Sequence, residues 1–257
     1  MNNKQIIIFR IDKTEKSGGG HFSRCIELAK FLDVFEIIIL INGQHPSKNM
    51  INRNIRCYFF DTFEEEKNIV KSFKNNIKLV IFDVVTNSNL KNPSFLFKLI
   101  DFYKNKFNKL MFIDGIDEGS IIKKKPNLNI DFLVTPYFGA TKINGSFKHF
   151  YGEKFFIISN KFKRELKKET KQTIQNCLVT FGQSDPYLIT EFVLNGIITN
   201  NNLKQMNFKI ILGSLFDSER INNLIDNNKY LQNKINFIQK PDNLNKYYLW
   251  ADIAISG

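Results

Sequence analysis

Short, almost unbroken apolar runs alternate along this chain with stretches whose apolar residues recur at helical spacing. QIIIFRID (5–12), EIIILIN (36–42), RCYFF (56–60), LVIFDV (79–84), KLMFID (109–114) and DFLVTP (131–136) predict buried strands. Between them, HFSRCIELAKFL places Phe22, Cys25, Ile26, Leu28, Ala29 and Leu32 on one helical face. EEEKNIVKSF (64–73) opens with acids and then carries lysines, as a helix dipole favours, and SFLFKLIDFYKNKF (94–107) predicts another helix. Strand, helix and strand in this rhythm predict βαβ units and parallel pairing. NKFKRELKKETKQTIQN (160–176) breaks the pattern with dense charge and reads as a linker or an exposed connecting helix. The rhythm then restarts with strands at 177–182, 208–213, 235–240 and 252–256 and helices near 187–198, 218–228 and 243–250. The expectation is an α/β fold of two Rossmann-like, doubly wound domains. Residues 1–160 form the first, 161–176 the linker and 177–257 a partial second domain. The chain is expected to be incomplete, because WADIAISG stops at the carboxyl end of a strand, where ligands of open parallel sheets bind.

Composition narrows the classes. With 257 residues, 43% of them hydrophobic, the chain can bury one large or two ordinary cores. It holds no apolar run long enough to span a bilayer, and its start reads as a strand rather than a signal peptide, which predicts a cytoplasmic protein. Cys25, Cys57 and Cys177 are scattered without a CxxC, so reduced thiols are expected, with neither a disulfide framework nor a zinc site. The net charge of +12 suggests an anionic partner. Lysine outnumbers arginine, however, and Asn, Ile and Phe are abundant too, a mix typical of AT-rich codons. Nucleic acid is therefore not the expected partner; a phosphorylated small molecule needs only a local anion site.

SGGGHFSRCIELAKFL (17–32) supplies such a site. A strand ends near Asp12 and a helix begins near His21, so the intervening loop lies at the ligand edge of a parallel sheet. Glycines let a ligand approach the backbone, and the first helical N–H groups favour an anion. The turn is no P-loop, since no Gly-Lys-Ser/Thr follows, and no GxGxxG, since Ser23 holds the third glycine position. The unperturbed histidine pKa is about 6.5, and the positive end of a helix keeps an imidazole neutral, as a general base requires. His45 and His149 stand at no ligand-like spacing from it and read as a loop residue and a surface or packing residue. The alternative for the whole turn is a flexible connection with an incidental histidine.

RIDKTEKSGGGHFSRCIELAKFL resembles the opening of the pseudaminic-acid pathway UDP-sugar hydrolase family. Arg10, Asp12, Gly18, Gly20, His21, Arg24, Cys25, Leu28 and Ala29 match its Arg-x-Asp strand, Gly-x-Gly-His turn and Arg-Cys-x-x-Leu-Ala helix. VTFGQSDP (179–186) resembles the turn that opens the family's second domain, and ADIAISG (251–257) the strand before its nucleotide loop. The resemblance implies a GT-B-like fold with UDP held mainly by the C-terminal domain, and His21 activating water against the anomeric carbon of a UDP-linked deoxyamino sugar. It calls for no cofactor or metal and leaves the oligomeric state open. Substrate contacts are expected from Asp12, Gly18, Gly19, Gly20, Arg24 and Asp83 in the first domain. In the second they are expected from Gly182, Gln183, Ser184, Asp185, Ser256 and Gly257.

The sequence also departs from that family. Val85 stands where a sugar-side tyrosine is usual, Gln183 replaces a glycine, and FIDGIDEGSI and VTPYFGA match only loosely. A glycosyltransferase using a nucleotide-sugar donor is therefore the alternative, and a non-catalytic sugar-nucleotide binder or truncated remnant a second. Asp12 is expected either to orient Arg24 or the glycine turn, or to cap its strand end. Asp83 and Asp114 either hold sugar hydroxyls or cap loops, and Ser184 or Asp185 either prepares a phosphate site or caps the following helix. Tyr137, Phe138 and Gly139 are expected at the cleft, and Tyr247, Tyr248 and Trp250 under the final strand.

Overall fold

A computed structural model describes residues 4–13, 20–43, 55–73, 76–84, 93–116, 120–124, 126–159, 162, 173–183, 185, 187–213, 216–227, 233–241 and 243–256. The chain divides into two compact units, Met1–Ile158 and Ser159–Gly257.

The first unit carries strands β1 (Ile6–Lys13), β2 (Glu36–Gly43), β3 (Ile55–Phe60), β4 (Ile77–Asp83), β5 (Leu110–Ile113), β6 (Phe132–Thr135) and β7 (Lys148–Tyr151). They form a parallel sheet in the order β3-β2-β1-β4-β5-β6-β7. The long helices are α1 (Gly20–Ala29), α2 (Phe63–Lys71) and α3 (Pro93–Lys104), with a single turn α4 (Ile121–Lys124). Both faces of the sheet are covered, which is why its strands read as continuous apolar runs. On one face Ile7, Phe9 and Ile11 of β1 pack with Phe22, Cys25 and Ala29 of α1. On the other, Ile8 packs with Ile38, Leu40, Val70 of α2 and Leu96, Leu99, Ile100 and Tyr103 of α3. The acids that open α2 include a capping box: the Glu65 N–H donates to Thr62 Oγ1, and the Glu65 carboxylate accepts from the Thr62 N–H.

The second unit carries β8 (Asn176–Thr180), β9 (Asn207–Leu212), β10 (Ile235–Gln239) and β11 (Ile253–Ser256) in the parallel order β10-β9-β8-β11. Its helices are α5 (Ile189–Thr199), α6 (Ser218–Asn227) and α7 (Asn245–Trp250). Tyr247 and Trp250 pack against Leu178, Ile211 and Ala251 on one face of the sheet, while Tyr248 meets Phe162 edge-on.

Strand β7 and helix α4 were not legible in the sequence pattern. Both span four residues, and β7 lies at a sheet edge with half-exposed side chains, so neither leaves a periodic signature. Most of the charged 160–176 stretch, like His45 and Val85, lies outside the described residues. Among the described residues no helix is long and apolar enough to cross a membrane.

Strand order fixes where each unit can hold a ligand. In the first, the chain runs outward from β1 through β2 and β3, then returns to β4 on the other side of β1. The connections leaving β1 and β4 diverge there, and such a switch point opens a crevice at the carboxyl ends. In the second unit the corresponding point lies between β8 and β11.

Candidate functional site

Asp83 is the last residue of β4, and it lies beside β1 at the first unit's switch point. It is 1% exposed, on the sheet face that α1 covers, and α1 brings three side chains to it. His21 Nδ1 lies 2.7 Å from Asp83 Oδ1. Arg24 one turn later forks onto the same carboxylate, Nε donating to Oδ2 at 2.8 Å and Nη2 to Oδ1. The Cys25 thiol donates to Oδ2 at 3.7 Å. From the loop after β6, Tyr137 accepts a hydrogen bond from Arg24 Nη1 at 3.2 Å, and its ring meets Phe156 edge-on.

The electrostatics follow from that packing. Burial pushes the Asp83 carboxyl up, but the His21 hydrogen bond and the Arg24 guanidinium outweigh it and hold Asp83 below the usual carboxylate range. Burial alone would weaken the Arg24 cation; Asp83 more than restores it. Burial, reinforced by Asp83, pushes the Cys25 thiol well above its ordinary value, so that thiol stays protonated. Nδ1 of His21 faces an anionic oxygen at 2.7 Å and the Arg24 Nη2 donor only at 3.4 Å. The shorter contact decides the tautomer: Nδ1 carries the proton and Nε2 the lone pair. The His21 side chain is one-fifth exposed. Gly20, the first residue of α1, has open space where a Cβ would stand.

Asp12 lies near the end of β1 with partners of its own. Side chains alternate along a strand, so Asp12 follows Ile8 and Arg10 onto the face packed by α2 and α3, opposite α1. Arg24 is oriented by Asp83, while the Asp12 carboxylate accepts from Arg10 Nη1 and from Asn42 Nδ2 at 3.2 Å. Arg10 also donates from Nε to Glu66 Oε1 at 3.0 Å and from Nη2 to Oε2 at 3.3 Å, and Tyr103 Oη donates to Glu66 Oε1 at 2.7 Å. Arg10, Glu66 and Tyr103 are fully buried, and the pattern missed this network. The signal was an arginine inside an apolar strand, which demands charged partners.

Asp114 is a cap. It accepts the N–H groups of Gly115, Ile121 and Ile122 and the Ser120 hydroxyl, and burial raises its pKa in spite of them. His149 is a packing residue: its Nδ1 accepts the Ile143 N–H at 2.9 Å, which places the ring proton on Nε2, 2.8 Å from Thr135 Oγ1. Burial, aided by Lys142, lowers its pKa. A histidine lowered on folding contributes stability above the unfolded value near 6.5, and that stability drains as pH falls below it. Urea titrations are expected to show a drop in midpoint between pH 8 and about pH 5.5 that is smaller in His149→Gln. An equal drop in both proteins would remove His149 from the account.

In the second unit, Gly182 (φ 82°) and Gln183 follow β8. A Cβ on Gly213 after β9 would collide with the Gln183 backbone and its carbonyl oxygen, so the two loop backbones touch. Asp185 accepts from Ile189 N–H at 3.0 Å and Thr190 N–H at 2.7 Å, which is the capping role for α5. Ser256 pairs in register with Thr180, so the end of β11 lies beside the start of that loop. Gly18, Gly19, Ser184 and Gly257 lie outside the described residues. Two cavities of about 310 and 370 Å³ lie at strand amino ends, by Asn207 and Trp250 and by Asn76 and Asn108, on the edges opposite these loops. Among the described residues no cluster of three or more His, Cys, Asp or Glu is placed to hold a metal ion.

No protein-family model matches this chain. An uncharacterized protein of Methanocaldococcus jannaschii is 27% identical over 269 residues, covering 96% of this chain and 50% of the relative. The chain thus spans about half the length of the curated relative it matches. Among solved structures, HepE of Anabaena in complex with UDP-glucose is similar with a TM-score of 0.60 at 11% identity, over 97% of this chain and 73% of that one. MurG of Acinetobacter baumannii gives 0.59 at 10% identity, over 98% and 72%. A glycosyltransferase of Rickettsia africae gives 0.57 at 18% identity, over 99% and 73%. These likenesses show the fold, a GT-B-like α/β chain of two Rossmann-like parallel-sheet units.

Proposed function

We propose that this chain hydrolyses a UDP-linked deoxyamino sugar in surface-glycan synthesis, with His21 as the base. The observation that carries the reading is the 2.7 Å contact between His21 Nδ1 and Asp83 at the switch point of the first sheet. Asp83 fixes the tautomer, and Nε2 takes a proton from water as the water oxygen attacks the anomeric carbon. The bond from that carbon to the β-phosphate oxygen breaks, and UDP departs with the electron pair. UDP is a good leaving group, so a proton donor on it is dispensable; backbone N–H groups suffice for the developing charge. In the second unit, Gly182, Gln183 and Ser256 at the β8/β11 edge are the proposed phosphate and nucleotide contacts, together with Ser184 and Gly257, which adjoin them in sequence. Gly18, Gly19 and Gly20 would let the sugar-phosphate approach the turn before α1.

A glycosyltransferase is the second reading, favoured by the likeness to solved glycosyltransferases and by a base that serves a sugar hydroxyl as well as water. Incubation with UDP-sugars in the absence of any acceptor separates the two. UDP release supports hydrolysis, and release only with an added acceptor sugar transfers the assignment to the second reading. Absence of both UDP release and UDP binding by calorimetry overturns both.

A further inference from the structure

The family resemblance makes Arg24 a substrate contact, and the protein itself already engages part of its guanidinium. Nε and Nη2 fork onto Asp83 and Nη1 donates to Tyr137, so three of the five N–H donors of a guanidinium are engaged in this way. This geometry assigns Arg24 a different role. It balances the charge of Asp83, so that Asp83 orients the His21 ring without drawing it into the imidazolium form, and Tyr137 holds the guanidinium in its fork. The catalytic half of this role rests on the base proposed above; the electrostatic half does not.

A lone carboxylate 2.7 Å from an imidazole would favour the charged ring. A ring that is already protonated cannot accept a proton from water. Asp83 is needed for the tautomer, so its field must be offset by another group. Arg24 does this twice over. It pairs with both Asp83 oxygens, and its Nη2 lies 3.4 Å from His21 Nδ1, where a cation opposes a second positive charge. Among the described residues, the ionisable groups gathered at this ring are Asp83 from β4, Arg24 from α1 and, through Arg24, Tyr137 from the loop after β6. The Cys25 thiol faces Asp83, while Arg10 and Asp12 of β1 lie on the opposite face of the sheet.

The chain has three histidines, so ring titration by NMR in the absence of substrate isolates His21, with His149 as internal reference. Arg24→Gln is expected to move the His21 midpoint upward and leave His149 in place. The acidic limb of kcat/KM for UDP release should follow it. Arg24→Lys keeps the cation and loses the fork, so its midpoint should stay near that of the parent while kcat falls. Tyr137→Phe, which leaves the buried ion pair intact should Arg24→Gln not fold, is expected to give a smaller upward move. An unmoved or lowered His21 midpoint in Tyr137→Phe and in folded Arg24→Gln overturns the assignment. So does a raised KM for the UDP-sugar with an unmoved acidic limb, the signature of a substrate ligand. Should the parent release no UDP with or without an acceptor sugar, the base reading fails while the titration still decides the charge balance.

Discussion

His21→Asn is expected to lower kcat for UDP release by ~10²–10⁴-fold, the range that a positioned general base contributes, with little change in unfolding midpoint. The side chain is one-fifth exposed and holds no place in the core, so the fold does not depend on it. Asparagine can still hydrogen-bond Asp83 but has no basic nitrogen for the attacking water. Asp83→Asn makes the informative contrast. It also removes the group that fixes the His21 tautomer, and it leaves Arg24 in a buried setting against a neutral amide whose one oxygen can accept from a single arm of the fork. That variant should lose both activity and stability, because removing one partner of a buried pair strands the other charge. Loss of activity in His21→Asn with an unchanged urea midpoint assigns the residue to chemistry. Retained turnover removes His21 from the mechanism, and loss of both in His21→Asn makes it structural.

Much of the fold was legible because parallel strands covered on both faces leave long apolar runs, and β1, β2 and β4 are such runs. The helix after the glycine turn was legible for the same reason, since Phe22, Cys25 and Ala29 sit at helical spacing and are all buried. Partnership across elements was not legible. Asp83 ends its strand in any reading, but its meeting with His21 and Arg24 depends on β4 lying beside β1, a fact of strand order rather than of local pattern. Asp12 shows the opposite case. Strand alternation already separates it from the α1 face once Ile7, Phe9 and Ile11 are assigned there, so its partnership with Arg10 could have been deduced. Tyr137 reaches Arg24 from 113 residues away, through a loop of no regular period. Its role could come only from the structure.

Arg10→Met is expected to destabilise the chain by about 3–5 kcal/mol at neutral pH, measured by urea unfolding. Arg10 is 2% exposed and its cation lies among Asp12, Glu66 and the ring of Phe60, 5.3 Å from the guanidinium carbon. Burial by itself would make that cation costly; Asp12 and Glu66 more than offset the cost, which is why the Arg10 pKa is raised. Methionine fills comparable volume but leaves the Glu66 carboxylate, with no exposed surface, facing an apolar side chain. Tyr103 Oη remains as a donor to Glu66, and one neutral hydroxyl cannot replace a forked guanidinium. If the cost lies in stranded charge rather than in lost volume, removing the stranded groups should relieve it. The triple variant Arg10→Met/Glu66→Met/Tyr103→Phe is therefore expected to recover most of the loss, since apolar packing often replaces a buried ion cluster without penalty. A triple variant as unstable as Arg10→Met would place the cost elsewhere, in the Asp12 carboxylate at the carboxyl end of β1 or in the shape of the cavity. In that case the network would matter for holding the strand end from which the chain runs toward His21, and Asp12→Asn added to the triple variant should supply the missing recovery.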